Sequence, residues 1–267
     1  MALLTIRYDF SSAMRIPVLR QVIAFLLFFL PGTLISRFGF MGMMAGMVLA
    51  VVILAPALAW LPVAGNKHPE HDGGQKQLST QLRLAIWIGL FAATAFMFSA
   101  TMIWAFVERM ASSASFEPVL VGKILSLTLV FAVLGSLAAV VMGDRFGSAK
   151  PFAMATIIFL LALAWLSSTT SLINFAIGAC LLTLAIGLGI TYVITIVANL
   201  DMDGRYVVLT VPAIGIGVMI APAIGGLLTD SQDFSAIFVV GGTTVVLSLL
   251  AGLFALHTGT YKVVGSK

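Results

Sequence analysis

The chain has 267 residues, of which 61% are hydrophobic and only 9% are charged. Because a water-soluble domain carries roughly 25% charged residues, this composition excludes a soluble fold. The net charge of +4 is spread over short loops, not gathered into a basic stripe, which excludes a nucleic-acid-binding surface. The composition therefore predicts a polytopic membrane protein that acts in or across a bilayer.

Eight apolar segments are predicted to span the membrane, since a spanning helix needs about 20 apolar residues. They lie at 19–36, 39–62, 84–107, 118–142, 151–167, 171–198, 206–229 and 234–257. These segments are too long for barrel strands, and backbone hydrogen bonds in hydrocarbon must be internal, so the predicted fold class is an all-α helical bundle. The first segment follows positive residues, as a signal peptide does, but no small-residue cleavage site follows it. We therefore interpret it as a retained helix.

The positive residues fall mainly on one side when the eight segments are threaded back and forth through a membrane. Eleven of the fourteen Lys and Arg residues would then be cytoplasmic, namely Arg7, Arg15, Arg20, Lys67, Lys76, Arg83, Arg145, Lys150, Arg205, Lys262 and Lys267. The other side keeps Arg37, Arg109 and Lys123. Because this bias sets helix orientation, we expect a multi-pass protein of the cell inner membrane with both termini in the cytoplasm.

One polar linker divides the chain. Residues 66–79 read NKHPEHDGGQKQLS, and the proline, paired glycines and mixed charges are typical of a flexible connector. The predicted domains are a two-helix N-terminal part over 1–64, a cytoplasmic linker over 65–83, and a six-helix bundle over 84–267.

The sequence contains no pattern for catalysis or metal binding. Cys180 is the only cysteine, so no internal disulfide can form. His68 and His71 lie in the polar linker and His257 ends the last apolar segment, where solvated side chains are expected. Because a phosphate-binding loop and a metal-ligand cluster are both missing, we expect no enzyme activity, no cofactor, no metal and no ATP-driven pump.

Small residues recur every fourth position in four segments. The stripes are Gly42, Gly46 and Ala50; Ala85, Gly89 and Ala93; Gly135, Ala139 and Gly143; and Gly217, Ala221 and Gly225. Such spacing lets the backbones of membrane helices approach closely, so these segments are predicted to be packing surfaces.

The turn Gly143-Asp-Arg-Phe-Gly147 joins two predicted spans on the cytoplasmic side. Asp144 and Arg145 can pair across neighbouring helices or meet the dipole of a helix end, and Gly147 permits a tight reversal. Contacts that break and re-form there would let helices slide, so the turn is predicted to be a conformational latch.

This turn resembles a signature of the major facilitator superfamily (MFS), Gly-x-x-x-Asp-Arg-x-Gly-Arg-Arg, found between the second and third helices of each half. Asp144, Arg145 and Gly147 match the signature. The departures are Val140 at the leading glycine and Ser148 and Ala149 at the two arginines, with Lys150 one place later. The resemblance implies that the turn is a gating motif.

Two further stretches resemble MFS helices. Gly204-Arg205 precedes a glycine- and proline-rich helix similar to the eleventh MFS helix, with bending or packing positions at Gly215, Gly217, Ala221, Pro222, Gly225 and Gly226. The run from Trp104 to Glu108-Arg109 resembles the end of the seventh helix in efflux-like bacterial members. Residues 31–62 look like the end of the fifth helix and the sixth. The resemblance implies helices five to twelve of a transporter that would lack its first four.

A central substrate cavity is what the MFS resemblance implies for the six-helix block, lined by its first, second, fourth and fifth helices. Thr94, Thr101 and Glu108 are seven residues apart and share one face of a helix. The expected cavity residues are Thr94, Thr101, Trp104, Glu108, Tyr192, Thr195 and Asn199. Hydroxyls, an amide and an aromatic surface suit a small polar organic solute.

Glu108 has two possible roles. An ionisable group near the membrane interior is a functional candidate, so this carboxylate could carry a coupling proton. It lies near the predicted outer boundary beside Arg109, so an ion pair with Lys123 or an interfacial anchor is the alternative.

The sequence and the resemblance together predict secondary active transport of a small organic solute by alternating access, in the direction of efflux. The expected partners are the lipid bilayer, the solute and a coupling proton. In one version of this prediction, the chain is a truncated, inactive fragment of a longer transporter. The alternative is a non-transporting half-size membrane subunit that assembles with a partner or with itself.

Overall fold

The computed structural model describes residues 41–42, 44–46, 48–49, 80–143, 145–168, 171–201, 206–229 and 233–264. Residues 22–78 belong to one compact unit, and the described positions between 41 and 49 within it are helical. Residues 79–267 belong to the other unit, which contains all the helices named below. Most of the first two predicted spans, and the linker at 66–79, lie outside the described residues.

Six long helices build the second unit. They are α1 (Thr80–Ser113), α2 (Pro118–Met142), α3 (Ala149–Ser167), α4 (Leu172–Leu200), α5 (Thr210–Leu228) and α6 (Ser235–Val264). A single 3₁₀ turn, Val207–Leu209, leads into α5. All six are long and apolar enough to cross a membrane, which makes the chain a multi-pass membrane protein. The prediction of six spans after residue 80 and of an all-α fold is confirmed for the described part.

The helix ends follow from local chemistry. Pro118 occupies the first turn of α2, where its missing N–H leaves no hydrogen bond unmade. Gly143 ends α2 with φ of 49°, which a residue without a side chain adopts readily. The Ser171 hydroxyl accepts a hydrogen bond from the Asn174 N–H at 3.2 Å and so caps α4. α1 begins at Thr80 instead of residue 84, within the segment 65–83 that was predicted to be linker.

The same set of helix contacts is obtained when the triplet α1–α3 is exchanged with the triplet α4–α6, that is, α1 with α4, α2 with α5 and α3 with α6. Helix α1 packs mainly on α5 and α6, and α4 packs mainly on α2 and α3. The exchange leaves two contacts unchanged, the one between α1 and α4 and the one between α3 and α6. The first helix of each triplet therefore packs on the second and third helices of the other. Because three is an odd number of spans, the two triplets cross the membrane in opposite directions, so the repeat is inverted.

One glycine in each triplet makes a close backbone contact with a helix of the other triplet. Gly135 of α2 lies against the Leu184 carbonyl and the Leu188 N–H of α4. Gly217 of α5 lies in the same way against the Thr94 carbonyl and the Phe98 N–H of α1, where an added Cβ would sit 2.5 Å and 3.1 Å away. Both contacts join a glycine to the carbonyl of one residue and the N–H of the residue four places later. In both triplets the second helix therefore approaches the backbone of the other triplet's first helix with no side chain between them.

The small-residue stripes extend these contacts along both helices. Ala139 and Ala221, each four residues beyond the packed glycine, are fully buried. Gly225 follows in α5, where a Cβ would lie 2.6 Å from the Phe106 ring. The predicted packing role of these two stripes is thus visible in the structure, and each stripe brings a second helix onto α4 or α1.

Candidate functional site: an open groove between the repeats

The packing of the described helices with one another leaves one side of the bundle uncovered. Helices α3 and α6 contact each other and close the opposite side. Among the described helices, α2 lies on α4 and α5 lies on α1, but α2 and α5 share no extensive contact. The uncovered side is a groove with α1 and α4 as its floor and α2 and α5 as its walls.

The floor on α1 is defined by what its neighbours leave free. Ser99 faces α6, because its hydroxyl donates to the Gly241 carbonyl at 2.6 Å. Thr94 faces α5, because its hydroxyl donates to the Ala213 carbonyl at 3.0 Å. Successive residues of a helix are rotated by about 100° around its axis. The positions of Ser99 and Thr94 therefore leave one sector of the α1 surface between the contacts with α6 and α5. It contains Met97, Thr101, Trp104 and Glu108, of which the first three are half-buried and the last is exposed.

The same sector closes toward the start of α1. Ile86, Leu90 and Ala93 lie in it and are 0–3% exposed. The groove therefore opens along the C-terminal half of α1.

The floor on α4 is apolar. Gly187 packs on α2 and Gly189 packs on the Phe96 ring of α1, so the sector between these contacts faces the groove. It contains Ile186, Ile190 and Ile194, all half-buried. No ionisable side chain is present on this sector of α4 in the described residues.

Three predicted cavity residues of α4 lie elsewhere. Tyr192 and Thr195 are buried, and the Tyr192 hydroxyl donates to the Gly143 carbonyl at the end of α2 at 3.0 Å. The Thr195 hydroxyl donates to the Thr191 carbonyl of its own helix at 2.8 Å, and the Asn199 amide donates to the Ser148 hydroxyl at 3.1 Å. Tyr192 and Asn199 therefore bind α4 to the end of α2 and the start of α3, whereas Thr195 is bonded within α4. None of the three lies on the sector of α4 that faces the groove.

Of the four predicted residues on α1, three face the groove. Thr101 and Trp104 are on its floor, and Glu108 is at its outer end. The hydroxyl of Thr94 is already used, because it donates to the Leu90 carbonyl of its own helix as well as to Ala213 of α5. Thr94 therefore secures the wall helix α5 against the floor.

Replacing Tyr192 tests this structural role. Tyr192→Phe removes the hydroxyl that donates to Ala139 at 3.3 Å and Gly143 at 3.0 Å and leaves the ring in place. We expect the free energy of unfolding to fall by about 1 kcal/mol, the net value of a typical buried hydrogen bond. Denaturation in mixed detergent micelles, followed by circular dichroism, measures the change. Thr243→Val, which removes an exposed hydroxyl bonded to its own helix, is the control and should change little.

The gating turn lies between α2 and α3. Asp144 lies outside the described residues. Arg145 is exposed, and Gly147 has φ of 67°, as a tight reversal requires. Arg83, Arg145 and Lys150 lie at this end of the bundle, whereas Arg109 and Lys123 lie at the opposite end.

The glycine- and proline-rich helix α5 presents two different faces. Gly217, Ala221 and Gly225 are buried against α1. Gly215 and Gly226 have open space where a side chain would lie, and Pro222 is an exposed residue within the helix. Only the first face holds the bundle together.

Sequence analysis did not single out Asp201, which follows α4 directly. Its carboxylate is 5% exposed and accepts hydrogen bonds from the N–H groups of Tyr206 at 2.6 Å and Val207 at 2.7 Å. The other carboxylate oxygen is buried and has no hydrogen-bond partner among the described residues. The sequence did contain a signal for this cap, because Asp201 is an acidic residue between two predicted spans, directly before the chain reverses direction.

A second depression lies at the end of the bundle where α1 ends, on the side of α3 and α6 and not on the side of the groove. It has a volume of about 360 Å³ and lies between the ends of α1 and α3 and the start of α6, next to Asp233 and Phe238. The pKa of Asp233 is lowered because the Ser235 N–H donates to its carboxylate. This exposed cap is therefore present at neutral pH and is lost as the pH falls through that pKa.

The described residues offer a groove and a capped turn, and no group of three His, Cys, Asp or Glu side chains among them is placed to hold a metal. The groove can accept a solute through apolar contact, one hydroxyl and one indole N–H. A scan of the sequence against protein-family models finds no match, and neither does a search of curated proteins.

Proposed function

We propose that this protein is a secondary transporter of the MFS type that moves a small organic solute by alternating access, in the direction of efflux. The observation that carries the proposal is the inverted pair of three-helix repeats with a groove between them. Many transporters consist of inverted repeats, bind the solute near the membrane midplane where the repeats meet, and rock one part against another. The packing of α1–α3 and α4–α6 supports such a motion.

The close glycine contacts support movement of whole helices. At Gly135 and Gly217 a wall helix touches the backbone of a floor helix with no side chain between them. Smooth backbone contacts of this kind let a packed pair tilt without unlocking interdigitated side chains.

The basic end of the bundle supports an orientation. Arg83, Arg145 and Lys150 are at this end, and positive residues favour the cytoplasmic side. We propose that the start of α1 and the α2–α3 turn are cytoplasmic in the cell inner membrane. In that orientation the open half of the groove, at Thr101 and Glu108, lies toward the outside.

Cysteine labelling tests the groove directly. In a Cys180→Ala background, Thr101→Cys places a thiol on the groove floor and Ile157→Cys places one on the outer face of α3, where the native side chain is 57% exposed. A water-filled groove ionises the first thiol, whereas lipid keeps the second protonated and unreactive. We expect a membrane-impermeant maleimide to label position 101 at least about tenfold faster than position 157.

The side of the membrane from which Thr101→Cys is labelled distinguishes the possible outcomes. Labelling of Thr101→Cys in both right-side-out and inverted vesicles supports alternating access. Labelling from one side alone, or equal rates at positions 101 and 157, contradicts the transporter proposal. Labelling that disappears when protein is crowded in the bilayer would show that subunits cover the groove, which favours the half-size subunit instead.

A further inference from the structure

Two hydrogen-bond donors on the groove floor have no acceptor among the residues that the structure describes. Thr101 and Trp104 are three residues apart in the same sector of α1, and both are half-buried. Neither the Thr101 hydroxyl nor the Trp104 indole N–H forms a hydrogen bond with any residue that the structure describes.

Several other threonine hydroxyls of the bundle bond to a carbonyl of their own helix. Thr156, Thr191 and Thr195 each donate to the carbonyl four residues earlier in their own helix. Water can bond to these donors while the groove is empty, so a solute that displaces this water must either supply an acceptor or leave the donors unpaired at a cost in free energy. Two such donors one turn apart are therefore suited to an acceptor that a bound molecule supplies.

The rest of the floor restricts what that molecule can be. Met97 lies one turn before Thr101, and the facing sector of α4 contributes Ile186, Ile190 and Ile194. In the described part of the floor, the nearest ionisable group is Glu108, which is exposed at the outer end of α1. A sugar would bring many polar groups to a surface that can pair with only two of them. An ion would meet a floor whose nearest described ionisable group is at the outer end of α1. Each polar group left unpaired lowers affinity.

We propose that the groove binds an uncharged, largely apolar organic solute that carries one acceptor oxygen, such as a carbonyl, near its centre. The oxygen accepts hydrogen bonds from Thr101 and Trp104, and the apolar part of the solute rests on Met97 and the isoleucines of α4. This inference rests on the proposed transport function and narrows its solute class. It replaces the polar solute expected from the predicted hydroxyls and amide, since Tyr192, Thr195 and Asn199 do not face the groove.

A matched pair of probes tests the inference. Fluorenone and fluorene are both flat, apolar and uncharged, and differ in that fluorenone has a carbonyl oxygen where fluorene has a CH₂ group. Equilibrium binding of each radiolabelled probe to the full chain in lipid nanodiscs is measured, and uptake by empty nanodiscs is subtracted. The test variant is Thr101→Val/Trp104→Phe, which removes both donors and keeps similar side-chain volume. The control variant is Thr243→Val/Trp165→Phe, with the same changes at exposed positions of α6 and α3.

We expect saturable fluorenone binding to the native chain that weakens at least about tenfold in the test variant and is unchanged in the control. Fluorene binding should differ by less than about twofold between the native chain and the test variant. The inference is overturned if neither probe binds saturably, if both probes weaken equally, or if maltose displaces fluorenone. Donor-dependent fluorenone binding without two-sided labelling of Thr101→Cys would support the solute class and remove the transport function. Two-sided labelling of Thr101→Cys without donor-dependent fluorenone binding would support the transport function and remove the solute class.

Discussion

Gly217→Ala is expected to lower the free energy of unfolding by roughly 1–3 kcal/mol, in the range of overpacked cores. The new Cβ would lie 2.5 Å from the Thr94 carbonyl oxygen and 3.1 Å from the Phe98 nitrogen. Both are backbone atoms of α1 and cannot rotate away as the end of a side chain can. The two helices must therefore separate, and the contacts around Ala221 are weakened with them. Unfolding in mixed detergent micelles, followed by circular dichroism, measures the loss.

The control lies two residues away in the same helix. Gly215 has nothing within 4 Å of an added Cβ, so Gly215→Ala adds no clash. Since alanine is favoured over glycine in a helix by roughly 0.5–1 kcal/mol, this variant should be as stable as the native chain or slightly more so. The same contrast is expected in α2, where Gly135→Ala should be destabilising because a Cβ there meets the backbone of α4, and Gly122→Ala should be neutral because nothing lies within 4 Å. Equal effects within either pair would contradict the packing described for the two repeats.

Asp201→Ala is expected to destabilise the protein by about 2–4 kcal/mol. The substitution removes the carboxylate acceptor and leaves the N–H groups of Tyr206 and Val207 without their partner at the turn before α5. A hydrogen bond to a charged group contributes roughly 1.5–3 kcal/mol, and unsatisfied buried donors add their own penalty. The same unfolding measurement applies, and hydrogen exchange should show the loss of protection first at the start of α5.

Two companion variants show whether the effect belongs to the buried cap. Asp201→Asn keeps an oxygen that can accept one or both N–H groups, so it should retain much of the stability. Asp233→Ala removes the other acidic cap, which is fully exposed at the start of α6, and should leave the unfolding transition unchanged within error. If Asp233→Ala and Asp201→Ala behave alike, burial is not the source of the stabilisation.

The membrane spans after residue 80 were predictable because they depend on a local property. Length and hydropathy along the chain are enough to place α2 at 118–142 and α3 near 151–167, and the structure agrees within two residues at each end. The start of α1 was less predictable. Thr80 and Arg83 are polar, but a helix can extend beyond its apolar stretch when backbone hydrogen bonds continue.

The groove was only half predictable. On α1, the seven-residue spacing of Thr101 and Glu108 was enough to place them on one face, because that spacing nearly equals two helical turns. On α4, the same reasoning selected Tyr192 and Thr195, which the structure buries. A polar side chain in a membrane helix can either face an aqueous path or bond to a neighbouring carbonyl, and spacing does not distinguish the two.

By itself, the sequence determined that the described part is an all-helical membrane protein with six spans after residue 80, and that Gly135 and Gly217 lie where backbones approach closely. These properties depend on residues near one another in the chain. Only the tertiary structure decided that α1–α3 and α4–α6 pack as an inverted repeat, that Ile190 and not Tyr192 faces the groove, and that Thr101 and Trp104 lack acceptors among the described residues. The physical reason is that the orientation of a helix about its own axis is set by the helices that contact it, and those contacts join residues far apart in sequence.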